Sequence, residues 1–152
     1  MDKKLINHLN IILRNELVAI NQYFLHSKIL QDQGFLKLAN LSKKESIDEM
    51  KHADSIIEKI LFLKGVPQMT EYGNLKIGSD VETILINDLN LEIDAIKDLK
   101  NAIKYCAEIE EIGAKDLLEK ILISEEEHYD FLETQIGLIK KVGLQNYLAT
   151  QI

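Results

Sequence analysis

The chain has 152 residues, 46% of them hydrophobic and 28% charged, with a net charge of -7 at neutral pH. That length allows one compact domain over 1–152 that buries most of its apolar surface without staples, and the negative charge argues against a nucleic-acid surface while favouring attraction of cations. A single Cys, no secretory apolar segment and no run of about 18 apolar residues make a reduced, soluble, cytoplasmic protein with no membrane partner the expectation.

One Pro and seven Gly leave little room for strands and turns, so the chain reads as nearly all helix. Leu5, Leu9, Ile12, Leu13, Leu17, Ile20, Phe24 and Leu25 recur at three- and four-residue steps. They predict a first helix over about Lys3 to Gln33, roughly 45 Å long. Glu16 falls near its middle. Tyr23 projects from nearly the same face, either as a donor to a ligand carboxylate or as a core residue. Gly34 punctuates the chain, and a second helix follows from about Phe35 to Lys64, stopped by Gly65 with Pro67 beyond.

Residues Val66 to Gly78 hold the only Pro and two Gly without sustained periodicity, which suits a crossover running the length of a bundle. Ser79-Asp80-Val81-Glu82 reads as a capping box opening a third helix to about Glu110. Ile84, Leu85, Leu89, Ile93, Ile96, Leu99 and Ile103 lie on its buried side, with Glu92 among them. A carboxylate in the middle of an apolar stripe needs a partner. A break is expected around Glu111-Ile112-Gly113. The fourth helix then runs from about Ala114 to Val142, with Leu117, Leu118, Ile121, Leu122, Phe131, Leu132, Ile136 and Ile139 as its core side. Gly143 closes it, and Leu144 to Ile152 read as a short tail helix, too small to bury itself within a four-helix core and expected at a subunit contact.

Glu49-x-x-His52 puts a carboxylate and an imidazole about 60° apart around a helix, so both reach one point in space. One such pair is a weak signal. A second, Glu125-x-x-His128, occurs in the fourth helix, and each pair has a further Glu 33 residues upstream, Glu16 and Glu92. Two chain halves that each supply Glu and then Glu-x-x-His look like a duplicated helical hairpin. They hold the ligand set of di-iron carboxylate four-helix bundles. The four negative charges are balanced by two divalent cations, so the empty site should have raised carboxylate pKa values. Oxygen and nitrogen donors suit Fe, Mn or Zn. Two irons bridged by Glu49 and Glu125, with one His each and with Glu16 and Glu92 terminal, could give one electron apiece to O2 or H2O2. Met50 lies about 130° around the helix from the midpoint of Glu49 and His52, so it points outward when they point in. With Leu17, Ile20, Asn21 and Phe24 it suggests a subunit interface, and a thioether is also a haem-iron ligand.

Three runs, Asn15 to His26, Glu45 to Asp54, and Gly143-Leu144-Gln145-Asn146-Tyr147-Leu148, resemble bacterioferritin, and the similarity extends over essentially the whole chain. The resemblance implies an all-α, ferritin-like four-helix bundle with a long crossover between the second and third helices and a short C-terminal fifth helix. It implies iron storage and detoxification in a hollow homo-oligomer of about 24 subunits, with Fe(II) oxidised by O2 or H2O2 at an intrasubunit di-iron ferroxidase centre and kept as a ferric mineral. The family's ferroxidase ligands carry over onto Glu16, Glu49, His52, Glu92, Glu125 and His128. Haem b held between two-fold related subunits by Met50 from each, and a ferredoxin as electron donor for iron release, are further implications. One departure is Lys44, where the resemblance places a histidine that works with the aspartate at Asp48 as an accessory iron site on the inner surface.

Cys106 reads as a small buried hydrophobe, and His8 and His26, without acids at ligand spacing, as structural or surface residues. Of the run Glu125-Glu126-Glu127, only Glu125 has ligand spacing. The main alternative from the residues is a di-iron peroxidase or oxygenase without mineral storage. A rubrerythrin type would need more cysteines, a mini-ferritin does not need two internal Glu-x-x-His pairs, and a haem protein with a vestigial metal centre would not need all six ligands.

Overall fold

The computed structural model describes residues 1–71 and 73–152. Five helices follow one another: α1 (Lys3–Asp32), α2 (Leu36–Phe62), α3 (Val81–Glu108), α4 (Ile112–Val142) and α5 (Leu144–Ala149), with no strand among the described residues. The hairpins α1–α2 and α3–α4 form the two most extensive contacts, and they join through α1 against α3 and α2 against α4. The result is a ferritin-like four-helix bundle with a short fifth helix.

Two apolar clusters fill the bundle. One collects Leu5, Leu9, Ile56, Ile60, Leu99 and Leu118, the other Leu30, Leu38, Val81, Ile84, Leu132 and Ile139. Because α2 ends at the first cluster, with Ile60, and α3 starts in the second, with Val81, the chain between them has to run the length of the bundle. That crossover has no periodicity to bury, and α1 side chains order it instead. Asn10 donates to the Val66 carbonyl at 3.1 Å and accepts from the Gln68 N–H at 2.9 Å. Further along, Lys76 N–H donates to Gln22 Oε1 at 3.1 Å and Gly78 N–H to His26 Nε2 at 3.0 Å.

Three helices end in the same way, with paired hydrogen bonds from the two residues after the cap. In α1 these run from Gly34 to Gln31 and from Phe35 to Leu30, in α2 from Lys64 to Leu61 and from Gly65 to Ile60, and in α3 from Glu110 to Ala107 and from Glu111 to Cys106. The left-handed position falls on Gly34 (φ 91°) in the first but on Lys64 (φ 65°) and Glu110 (φ 57°) in the others. The expected stops at Gly65 and Gly113 are therefore corrected. Gly65 lies one residue past the left-handed position, where a Cβ would come within 2.6 Å of Ile6, and Gly113 lies inside α4. The third helix opens on Asp80, whose carboxylate accepts from Thr83 N–H at 2.8 Å, one residue later than a box capped by Ser79.

Two burial expectations also change. Ile93 is exposed on α3. The tail does dock on its own bundle: Tyr147 is buried in the second apolar cluster, its hydroxyl donates to Gln135 Oε1 at 2.7 Å, and the Gln151 carbonyl accepts from Lys37 N–H at 3.0 Å.

Candidate metal centre

Between the two apolar clusters the bundle core turns polar. Small residues let the helices approach at this level: Ser46 Oγ donates to the Ile20 carbonyl at 2.8 Å and Ser42 Oγ to the Tyr23 carbonyl at 2.9 Å, tying α2 to α1. The i, i+3 pairs Glu49/His52 and Glu125/His128 then face inward from α2 and α4, while α1 and α3 contribute Glu16 and Glu92. All four carboxylates are buried, as is His128, and His52 is partly buried.

The six side chains form two overlapping groups, Glu16, Glu49, His52 and Glu125, and Glu49, Glu92, Glu125 and His128, with one donor atom from each residue lying within 4.8 Å of the others. Glu49 and Glu125 belong to both. His52 Nδ1 lies 3.0 Å from Glu125 Oε1, 3.4 Å from Glu16 Oε2 and 3.8 Å from Glu49 Oε1. His128 Nδ1 lies 3.1 Å from Glu49 Oε1, 3.3 Å from Glu125 Oε2 and 3.7 Å from Glu92 Oε1. Glu125 thus turns one oxygen toward each imidazole, the posture of a bridging carboxylate.

Four atoms of this set, Glu16 Oε2, Glu49 Oε1, Glu92 Oε2 and His128 Nδ1, are buried without a hydrogen-bond partner among the described residues. Each such atom costs about 1–3 kcal/mol, so four at one point need a common partner. Oxygen and imidazole donors in this number fit a pair of divalent transition-metal ions.

The electrostatics agree with that need. Burial, then the charge of Glu49 and a shared hydrogen bond with it, hold the Glu16 carboxyl well above the ordinary range, and burial followed by Glu125 does the same to Glu92. Burial also pushes Glu49 up, but Glu16 and the two imidazoles beside it outweigh burial and hold Glu49 at about 2. Burial opposes a charged His52, yet the surrounding carboxylates raise it to about 12, and His128 is raised for the same reason. Protons here do the work that cations would do, and entering metal ions would displace them.

Tyr23 is both things expected of it: the ring is buried, and its hydroxyl donates to Glu92 Oε1 at 2.6 Å. Sequence spacing missed Glu45, whose carboxylate contacts His128 Nε2. It also missed the acid partner of His26, because Asp88 comes from α3, with its Oδ1 2.8 Å from His26 Nδ1. Met50 stands apart from the centre, 58% exposed on α2, with Ile47 beside it and Phe24 and Leu25 exposed on α1.

A ferritin-like domain is matched over residues 6–142. The chain is 45% identical over 146 residues to the bacterioferritin of Rhodobacter capsulatus, covering 96% of this chain and 91% of that protein. Identity is 40% over 151 residues to the bacterioferritin of Streptomyces coelicolor, covering 99% and 90%, and 43% over 142 residues to the bacterial ferritin of Synechocystis sp., covering 93% and 91%. The chain belongs to the bacterioferritin family. No helix among its described residues is long and apolar enough to cross a membrane. Lys44 is exposed and precedes Glu45, which with Asp48 and His128 forms a third group of close-lying donor atoms.

Proposed function

We propose that the chain, as one ferritin-like domain over residues 1–152, is a ferroxidase that stores iron. Its substrate Fe(II) occupies two positions, one held by Glu16 and His52 and the other by Glu92 and His128, with Glu49 and Glu125 shared. The observation that carries this reading is the convergence of unpartnered, buried donor atoms into two groups with two carboxylates in common. Two Fe(II) ions supply two electrons, which with two protons reduce O2 to H2O2, or H2O2 to water. Glu16 and Glu92, whose carboxyls burial and neighbouring carboxylates push well up, give up any proton they hold when they ligate. A cavity flanking His128, lined mainly by apolar residues with Tyr23 and Glu45, holds about 30 Å³. That is room for a molecule the size of water or O2, as ferroxidase chemistry requires.

Membership of the family supports storage, and on this reading a shell of about 24 copies in the cytoplasm would enclose the ferric product, with an external donor such as a ferredoxin reducing it for release. Haem b fits Met50 because the thioether is exposed, free of the metal centre and flanked by exposed apolar side chains on two helices. Met50 from each of two copies would hold it, and the haem would supply one-electron transfer.

The test is aerobic Fe(II) loading followed by size-exclusion, with iron, haem absorbance and particle mass read in one peak. Iron far above about two per chain, travelling with a particle of about 24 chains, is the expected result. About two irons per chain on a small oligomer would refute storage and leave a di-iron enzyme of the peroxidase type.

A further inference from the structure

The two metal positions are related by the internal repeat, yet their surroundings are not. The halves of the chain superpose in sequence at an offset of 76 residues, which pairs Glu16 with Glu92, Glu49 with Glu125 and His52 with His128. On one side His128 Nε2 contacts Glu45 Oε2, one helical turn before Glu49 on α2. The same offset carries Glu45 onto Ile121, which is buried in the first apolar cluster. His52 meets no counterpart carboxylate on that side: its contacts with Glu16, Glu49 and Glu125 are all made by Nδ1. A second contact repeats the imbalance: Tyr23 donates to Glu92, whereas its counterpart by the offset is Leu99, an apolar core residue with nothing to donate to Glu16.

We propose that Glu45 is a positioning residue that makes the Glu92/His128 position the stronger of the two, by accepting the Nε2 proton of His128 and so leaving its Nδ1 as the lone pair facing the centre. A neutral imidazole offers one nitrogen as donor and the other as acceptor, and the partner of the first decides which is which. An anionic partner also raises the basicity of the ligating nitrogen and fixes the ring plane, effects that typically amount to 10–100-fold in metal affinity. His52 has no such partner and is free to choose its tautomer and to tilt. The inference rests on the metal-centre reading above, and it assigns an order of filling: Glu92/His128 first, Glu16/His52 second.

Anaerobic titration of the assembled, metal-stripped protein with Co(II) alone, followed by its visible absorption and by calorimetry, tests both layers. The unaltered chain is expected to bind about two Co(II) in two steps of unequal strength. His52→Ala should keep the stronger step and His128→Ala should lose it. Glu45→Ala should weaken the stronger step by about 10–100-fold while the other changes by less than about twofold, and Glu45→Gln, whose amide oxygen still accepts Nε2–H, should recover most of the loss. Two-step binding in which Glu45→Ala leaves the stronger step unchanged, or weakens both steps alike, would overturn the role of Glu45 and leave the metal centre standing. Failure of the unaltered chain to bind two Co(II) would overturn the metal centre itself, and the role of Glu45 with it.

Discussion

At the level of single residues, the centre consists of acids that the bundle would not tolerate without compensation. Burial and the charge of Glu49 push the Glu16 carboxyl well up, so a glutamine has nearly the shape and charge of the protonated form they favour. Glu16→Gln should therefore change the unfolding free energy of the metal-stripped protein by less than about 1 kcal/mol, measured in denaturant, while initial Fe(II) oxidation in stopped flow falls by at least about tenfold. Asp88 allows a cleaner test of pH dependence, since it lies outside the centre. Burial raises its carboxyl despite hydrogen bonds from His26 and Gln22. A group whose folded pKa is raised contributes stability that is fully present below its unfolded value and is lost as pH rises through the folded one. Compared with Asp88→Asn, the native chain should lose relative stability as pH climbs from the ordinary aspartate value of 3.8 through the raised one. Parallel melting curves of the two proteins across that window would contradict this account.

At the level of elements, helix ends are where periodicity told least. The hydrophobic repeats of α1 to α4 place each helix to within a few residues, because the pattern of a buried stripe is independent of what lies beyond it. The stops depend on a competition that a repeat does not contain. Gly65 and Gly113 look like terminators, yet the left-handed positions are taken by Lys64 and Glu110, each at a cost of about 1–2 kcal/mol. Two substitutions separate these roles. Lys64→Gly should stabilise the protein by up to about 1 kcal/mol by relieving the backbone, while Gly65→Ala should destabilise it by about 1–3 kcal/mol because its Cβ would press on Ile6. Chemical denaturation midpoints check both. The same limit applies to Asp80: Ser79-Asp80-Val81-Glu82 contains two competent caps, and only the path of the arriving chain selects the second.

At the level of the whole molecule, function requires surfaces as well as a core. Met50 and its apolar neighbours on α1 and α2 form an exposed patch, which on the proposed reading would seat haem between copies. Met50→Leu should reduce haem absorbance in the purified shell to near background while initial Fe(II) oxidation stays within about twofold, since Met50 lies outside the metal centre. A variant that retained full haem would refute the ligand assignment. Lys44 tests the interior. If its charge is what deprives the inner surface of an accessory iron site, Lys44→His should speed mineral growth by about twofold or more after the first two irons per chain, measured by absorbance during repeated Fe(II) additions. An unchanged rate would show that the substitution does not matter.

The six centre residues were legible before any fold was known because a helix converts spacing into direction, and a duplicated hairpin writes the same spacing twice. Glu16, Glu49, His52, Glu92, Glu125 and His128 needed only that geometry, and the inward or outward sense of Met50 came with it. Contacts between helices carry no fixed spacing, so they had to wait for the packed structure. His26 looked isolated until Asp88 arrived from α3, Glu45 was unmarked until His128 turned its Nε2 toward α2, and the tail was short of a core until Tyr147 entered the bundle. Local periodicity determined the helices and the metal-binding pattern, because both are properties of one helix at a time. The tertiary structure alone decided which half of the centre gained a second carboxylate and which kept an isoleucine, because only packing brings the two halves face to face.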